Sequence, residues 1–274
     1  MKTVIDSGST GRLSLSEIIR FKGLLWNLSM RDVLVRYKQT LIGVLWAVVR
    51  PAINIAIFVF FSMFIEGGSD LQERIVNVGA GIIIWGLIST SITDVSNSLL
   101  NNSNILTKVY FPKLIIPIST LAVCLIDFLI SFFILLICKI AINGFPGPEF
   151  FLFPVFVLYA ILFSFAVGLF FATLNVKYRD IKFTLPFLLQ IGFYVCPVFL
   201  SSSFYLEKLP SSLAPIFMSN PLVTVIEGFK YCFLGQSFSV DMVYVLSGLC
   251  FTLLILIFSL RYFMKFEKTF ADFI

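Results

Sequence analysis

The chain has 274 residues, 59% of them hydrophobic and only 13% charged, and a formal net charge of +5. Soluble domains carry about 25% charged residues, and 33 phenylalanines exceed what a water-facing fold of this length can hide, so the solvent is lipid. Histidine is absent, which excludes His-ligated metal sites and Ser–His or Cys–His nucleophile pairs. Cys124, Cys138, Cys196, Cys232 and Cys250 form no CxxC pair and read as free thiols in apolar surroundings.

The start, Met1 to Arg12, is polar and shows no cleavable leader, so targeting falls to the first span. Leu15 to Met30 reads as a helix too polar to cross. Ser16, Arg20, Gly23 and Asn27 fall on one stripe, with Leu15, Ile18, Ile19, Leu25 and Trp26 on the other side. Such a helix lies in the membrane interface or against the end of the bundle. A bilayer core needs about 20 apolar helical residues. Stretches of that kind run from Trp46 to Ile65, Val78 to Leu99, Leu114 to Cys138, Phe150 to Leu174 and Met242 to Phe263. A shorter one, Phe183 to Leu200, contains Pro186 and Pro197. The expectation is an all-α membrane protein with six transmembrane helices, divided into an N-terminal segment 1–30, a transmembrane domain 31–265 and a tail 266–274.

Lys and Arg orient the spans. With the N-terminus inside, only Arg74, Lys139, Lys208 and Lys230 of the 20 basic residues fall outside. Both termini are therefore expected in the cytoplasm, and the positive charge is an inside bias rather than a sign of nucleic-acid binding.

Several stretches carry a resemblance. They are RDVLVRYKQTLIGVLW from Arg31 to Trp46 followed by Arg50-Pro51, KVYFPK from Lys108 to Lys113, NVKYRD from Asn175 to Asp180, YVCPV from Tyr194 to Val198, Asn220-Pro221 leading to Gly228-Phe-Lys230, and the tail FEKTFADFI from Phe266. In this order, on a six-span layout, they resemble the type-2 ABC exporter permeases of bacterial surface polysaccharides, most of all the O-antigen branch. The resemblance implies a homodimeric transmembrane subunit of the inner membrane, without ATPase activity of its own, moving a lipid-linked polysaccharide to the periplasm. It implies two copies of a partner ABC ATPase that hold ATP and Mg, no cofactor bound by this chain, and contact with membrane lipids. The sequence agrees in lacking a G-x-x-x-x-G-K-[ST] phosphate loop. Teichoic acid, capsule or another glycolipid would fit the same mechanism. An ion-coupled secondary transporter would normally show more intramembrane charge or inverted repeats, and a membrane transferase would need clustered acids or His.

The resemblance makes Asn101 to Lys113 a coupling helix, with Asn101, Lys108, Tyr110, Phe111, Pro112 and Lys113 as candidates and Tyr110 and Phe111 as aromatic anchors. Arg179 and Asp180 mark a second contact on the same side. Without the resemblance, both connections read equally well as ordinary positive-inside loops. Arg20, Trp26, Arg31 and Arg36 belong to the expected interfacial helix. The Pro-interrupted stretch from Ser201 to Val240 suggests re-entrant gate helices between the last two spans. Phe193, Tyr194, Phe199, Phe204 and Tyr205 flank that gate, while most phenylalanines face lipid or pack between helices. Glu227 and Lys230, three apart, form either part of the gate or a surface pair. Asp127 lies in mid-span, where an unpartnered acid costs roughly 2.5–3.5 kcal/mol, so it faces a pore or pairs between helices. Asp94 sits in a polar string from Ser89 to Ser98 that should face the pore or other helices.

Overall fold

The computed structural model describes residues 19–38, 45–67, 70–106, 108, 111–178, 180–235, 238–267 and 270. Helices account for nearly all of it, and no strand occurs among the described residues. In chain order they are α1 (Lys22–Lys38), α2 (Leu45–Glu66), α3 (Leu71–Asn101), α4 (Ser103–Leu106), α5 (Ile115–Asn143), a 3₁₀ turn (Pro148–Leu152), α6 (Phe153–Lys177), α7 (Ile181–Val195), α8 (Ser202–Lys208), α9 (Ala214–Met218), α10 (Pro221–Leu234) and α11 (Met242–Phe266).

Local chemistry sets these limits. Asp70 caps α3 by accepting from the Gln72 N–H, and Glu73 adds negative charge to the first turn. Gly144, at φ 76°, ends α5, a backbone conformation that favours glycine. Pro154 occupies the first turn of α6, where no amide hydrogen bond is lost. Asn220 caps α10 through the Leu222 N–H at 3.0 Å, and Gly235 closes it in the left-handed region.

Five helices are long and apolar enough to cross a membrane: Val48–Glu66, Leu71–Asn101, Ile115–Ile142, Pro148–Lys177 and Met242–Phe266. The expected sixth span is not a full-length helix. The apolar sequence continues to Leu200, but α7 stops at Val195 after 15 residues. At 1.5 Å per residue that is about 22 Å, short of a roughly 30 Å hydrocarbon core. The physical reason lies just beyond, at Pro197, whose ring excludes the helical conformation for Cys196 and which has no N–H to donate.

The N-terminal helix also differs from its expected limits. It persists past Met30 to Lys38, since nothing in RDVLVRYK breaks a helix and Arg36 and Lys38 suit its C-terminal dipole. Residues 15–18 lie outside the described residues. Of the expected apolar side, Leu25 packs on the bundle, joined by Leu24 and Leu28, which were not expected there, whereas Ile19 and Trp26 stay exposed.

α3 is the central strut, buried along most of its length against α5, α6 and α10. Gly168 of α6 permits a close approach to α3, since a Cβ there would stand 2.8 Å from that of Val95. α2 and α11 are peripheral and expose large apolar side chains such as Ile57, Phe61, Leu254 and Phe258, as lipid-facing helices do. Leu28 of α1, Phe111 and Phe270 share one hydrophobic cluster, so the first and last described segments lie at the same end of the bundle. The 3₁₀ turn and α8 to α10 lie at the opposite end.

Candidate functional site

A cleft runs along the bundle between α2, α3, α5 and α7. It comprises cavities of about 620, 430 and 510 Å³ that share walls. The first two meet at Phe58, Ser89 and Phe193, and Arg36 and Asp94 link them to the third. The helical repeat builds each wall. On α2, Trp46, Arg50, Asn54 and Phe58 are spaced by four and all line the largest cavity. On α3, Gly86, Ser89, Thr90, Thr93, Asp94 and Asn97 form a stripe that stays half-exposed while the other residues from Val78 to Leu99 are buried.

That stripe costs little to place in a membrane because its donors are satisfied within the helix. Thr90 Oγ1 donates to the Gly86 carbonyl at 2.7 Å, Thr93 Oγ1 to Ser89 at 2.8 Å and Asn97 Nδ2 to Thr93 at 2.9 Å. The oxygens keep acceptor capacity toward the cleft. The hydroxyls of this wall can thus accept hydrogen bonds from a polar cargo.

Charge is gathered where α1 meets the bundle. Arg36 Nη1 lies 2.7 Å from Asp127 Oδ2 and its Nη2 lies 3.0 Å from Asp94 Oδ2. The Tyr37 hydroxyl donates to the other oxygen of Asp127. Burial opposes the charge on Arg36, but Asp94 and Asp127 outweigh it and hold its pKa above the usual value. Burial, followed by the bond to Asp127, raises that of Tyr37. Asp127 therefore pairs between helices and also lines the cleft. Arg36 is more than a residue of an interfacial helix, because it bridges α1 to two other helices. Arg31 adds a bond of 2.5 Å to Asn102 Oδ1 and pairs with Asp32 at 2.7 Å. Arg20 and Trp26 are exposed.

Aromatic rings occupy the opposite end. Phe58 lies 4.8 Å from Phe193 and 5.0 Å from Phe199, and Phe193 stacks on Phe199 at 5.8 Å. Tyr194 lines the cleft beside them. Phe204 and Tyr205 stand behind, in α8, and the Tyr205 hydroxyl donates to the Tyr194 carbonyl at 2.9 Å. Glu227 and Lys230 are not a surface pair. Their side chains are 13% and 4% exposed, with Nζ 3.6 Å from Glu227 Oε1. The sequence signal was present, since a Lys inside an apolar stretch must find partners. Its partners are carbonyls of another segment, which spacing along α10 does not reveal.

The connection from Asn101 to Lys113 is divided. Asn101 and Lys108 are exposed, and Pro112 is half-buried. Phe111 is 5% exposed, packed among Leu28, Leu99, Leu114 and Phe263, so an anchoring role for its ring would require it to leave the core. Tyr110 and Arg179 lie outside the described residues, and Asp180 is exposed just before α7. The tail holds the connection in place. The Lys113 N–H donates to Glu267 Oε1 at 3.1 Å, and Lys113 Nζ donates to the Glu267 carbonyl at 2.6 Å. Nζ also lies 5.5 Å from the centre of the Phe270 ring. Glu267 and Phe270 stand in the tail motif, which gives no sign of their partner, since Lys113 lies 154 residues from Glu267 in sequence.

An all-helical bundle with several membrane-length helices and a polar cleft defines a multi-pass membrane protein of the transport class. Residues 23–234 match the family model described as ABC-2 type transporter, and the chain belongs to that family. It is 27% identical to the O-antigen export system permease protein RfbA of Myxococcus xanthus over 221 residues, covering 79% of this chain and 82% of that protein. It is 25% identical to a protein of the same name from Klebsiella pneumoniae over 251 residues, covering 91% and 94%. A second Klebsiella pneumoniae protein of that name is 24% identical over 255 residues.

Proposed function

We propose that this chain is the transmembrane subunit of an ATP-driven exporter that carries a lipid-linked polysaccharide of the O-antigen type across the inner membrane to the periplasm. The observation that carries this reading is the cleft itself, a continuous path with hydroxyls along one wall, ion pairs at one end and aromatic rings at the other. Hydroxyl-bearing polymers exchange hydrogen bonds with such a wall, and the apolar faces of sugar rings pack on aromatic rings. Relatives named as O-antigen export permeases support this choice of cargo.

In this reading the α1 end is cytoplasmic, consistent with the crowding of Lys and Arg there and the few at the other end. α1 lies at the membrane interface, with Ile19 and Trp26 toward lipid and Arg20 toward headgroups. Two copies of the chain join two ATPase subunits, which bind ATP and Mg while this chain binds no cofactor. The ATPase docks on the surface of the Asn101–Lys113 connection, where Lys108 is exposed, and on the Asp180 connection. Its motion reaches the cleft through α1, which holds Arg36 against Asp94 and Asp127. Phe193, Tyr194, Phe199, Phe204 and Tyr205 form the outer gate.

The test is deletion of the gene in its native cell, followed by complementation. Surface polysaccharide should disappear while its lipid-linked form accumulates inside, and the intact gene should restore export. Normal surface polymer in the deleted strain would end this reading, and loss of a teichoic acid or capsule instead would redirect the cargo. The purified chain should hydrolyse no ATP until its ATPase partner is added.

A further inference from the structure

Between α7 and α8 the backbone leaves the helix while still inside the protein. Cys196, Pro197, Val198, Phe199 and Leu200 are all buried. Carbonyls outside a helix have no partner four residues along, and a membrane interior offers no water to replace it. Side chains of two other elements fill that role for the carbonyls, and one of a third serves the amide at the end of the segment. The Tyr205 hydroxyl of α8 donates to the carbonyls of Tyr194 at 2.9 Å and Cys196 at 3.2 Å. Lys230 Nζ of α10 donates to those of Pro197 at 2.5 Å and Leu200 at 3.1 Å. Glu66 Oε1, at the end of α2, accepts from the Ser201 N–H at 2.6 Å and from its hydroxyl at 2.8 Å.

The holders are themselves held. Arg74, 6% exposed, pairs with Glu66 at 3.0 Å and donates to the carbonyls of Ser62 and Gly67. On the remaining side α3 is moulded to the segment, since a Cβ on Gly81 would stand 1.8 Å from the Val198 carbonyl oxygen. The segment carries Phe199, whose ring stacks on Phe193 and touches Phe58 at the end of the cleft.

We propose that Lys230, Glu66 and Tyr205 are positioning residues that clamp segment 196–201 in its closed place, and that release of this clamp opens the aromatic end of the cleft. The proposal rests on the reading of the cleft as a transport path. A continuous helix could not yield here without breaking its own ladder, whereas side-chain bonds to a loop can be exchanged one at a time. Glu227 makes that exchange feasible. Its Oε1 has no hydrogen-bond partner and faces Lys230 Nζ at 3.6 Å, so it can receive the ammonium when the two carbonyls depart. No charge is then left unpaired in the open state.

Cys196, 1% exposed, is a reporter already inside the segment. The other four cysteines are replaced by alanine, the chain and its ATPase are placed in nanodiscs, and labelling by a polar maleimide is followed. Cys196 should label slowly at rest and faster during ATP turnover. Lys230→Met removes two hydrogen bonds, and Gly81→Ala displaces the segment by contact, its Cβ meeting the Val198 carbonyl oxygen at 1.8 Å and Lys230 Cε at 3.0 Å. Each should speed resting labelling at least about tenfold, the scale of opening expected when buried hydrogen bonds are lost. Tyr205→Phe, which keeps most of the packing and every charge, should give a smaller increase and carries the test if a stronger variant fails to assemble with the ATPase. Equal protection of Cys196 in all assembled variants and during turnover would overturn the clamp. Labelling does not depend on the cargo, so a mobile Cys196 in a protein that leaves surface polysaccharide unchanged would sink the cargo assignment alone.

Discussion

Arg36 at one end of the cleft and Arg74 near the other each hold a carboxylate at 3.0 Å, Asp94 in the first case and Glu66 in the second. Their surroundings differ. The Arg36 side chain is 37% exposed and that of Arg74 only 6%. Water reaching the first pair screens it and can replace either partner, so exposed pairs contribute about 0–1 kcal/mol. The second pair is sealed, and removing one partner there strands a charge at a cost of roughly 3–5 kcal/mol. The same chemical contact thus serves as an adjustable link where α1 meets the bundle and as a structural lock where the chain leaves the helix.

The comparison predicts a ranking. Glu66→Ala should have the largest effect, lowering unfolding stability in mixed micelles by roughly 3–5 kcal/mol. A loss under about 1 kcal/mol would place Arg74 among exposed pairs. Phe111→Ala follows, at about 3 kcal/mol, because it empties a site between α1, α5 and α11. It should reduce the amount of folded protein even without the ATPase, and unchanged stability with weakened ATPase association would return Phe111 to the role of anchor. Asp127→Asn should be mildest in stability, below about 1 kcal/mol. Arg36 keeps Asp94, and the amide still accepts a hydrogen bond. Surface polysaccharide should nonetheless fall if Arg36 transmits motion, and full export at wild-type protein level would make this pair merely structural.

The long helices were legible because a membrane imposes a minimum apolar length, and each of the five exceeds it. The limit of α7 was not legible for the same reason. Apolarity up to Leu200 reports depth in the membrane and says nothing about backbone conformation, which Pro197 and the partners of segment 196–201 decide. Asp127 announced its need for a partner simply by being an acid in mid-span. The identity of that partner, Arg36, was hidden because the pairing spans 91 residues and depends on how α1 lies across α5. Phe111 was misleading in another way. An aromatic ring in a polar connection has two possible uses, and only the packing around Leu28 and Phe263 chooses between them.

The contact of Lys113 with Glu267 also bears on how the protein is made. Lys113 leaves the ribosome long before Glu267, and α5, α6, α7 and α11 must be synthesised in the interval. Until the last helix is in place, the Asn101–Lys113 connection lacks the residues that hold it. A chain that stops short of Glu267 therefore presents an unbraced version of this surface, and one that has passed it can present the braced one.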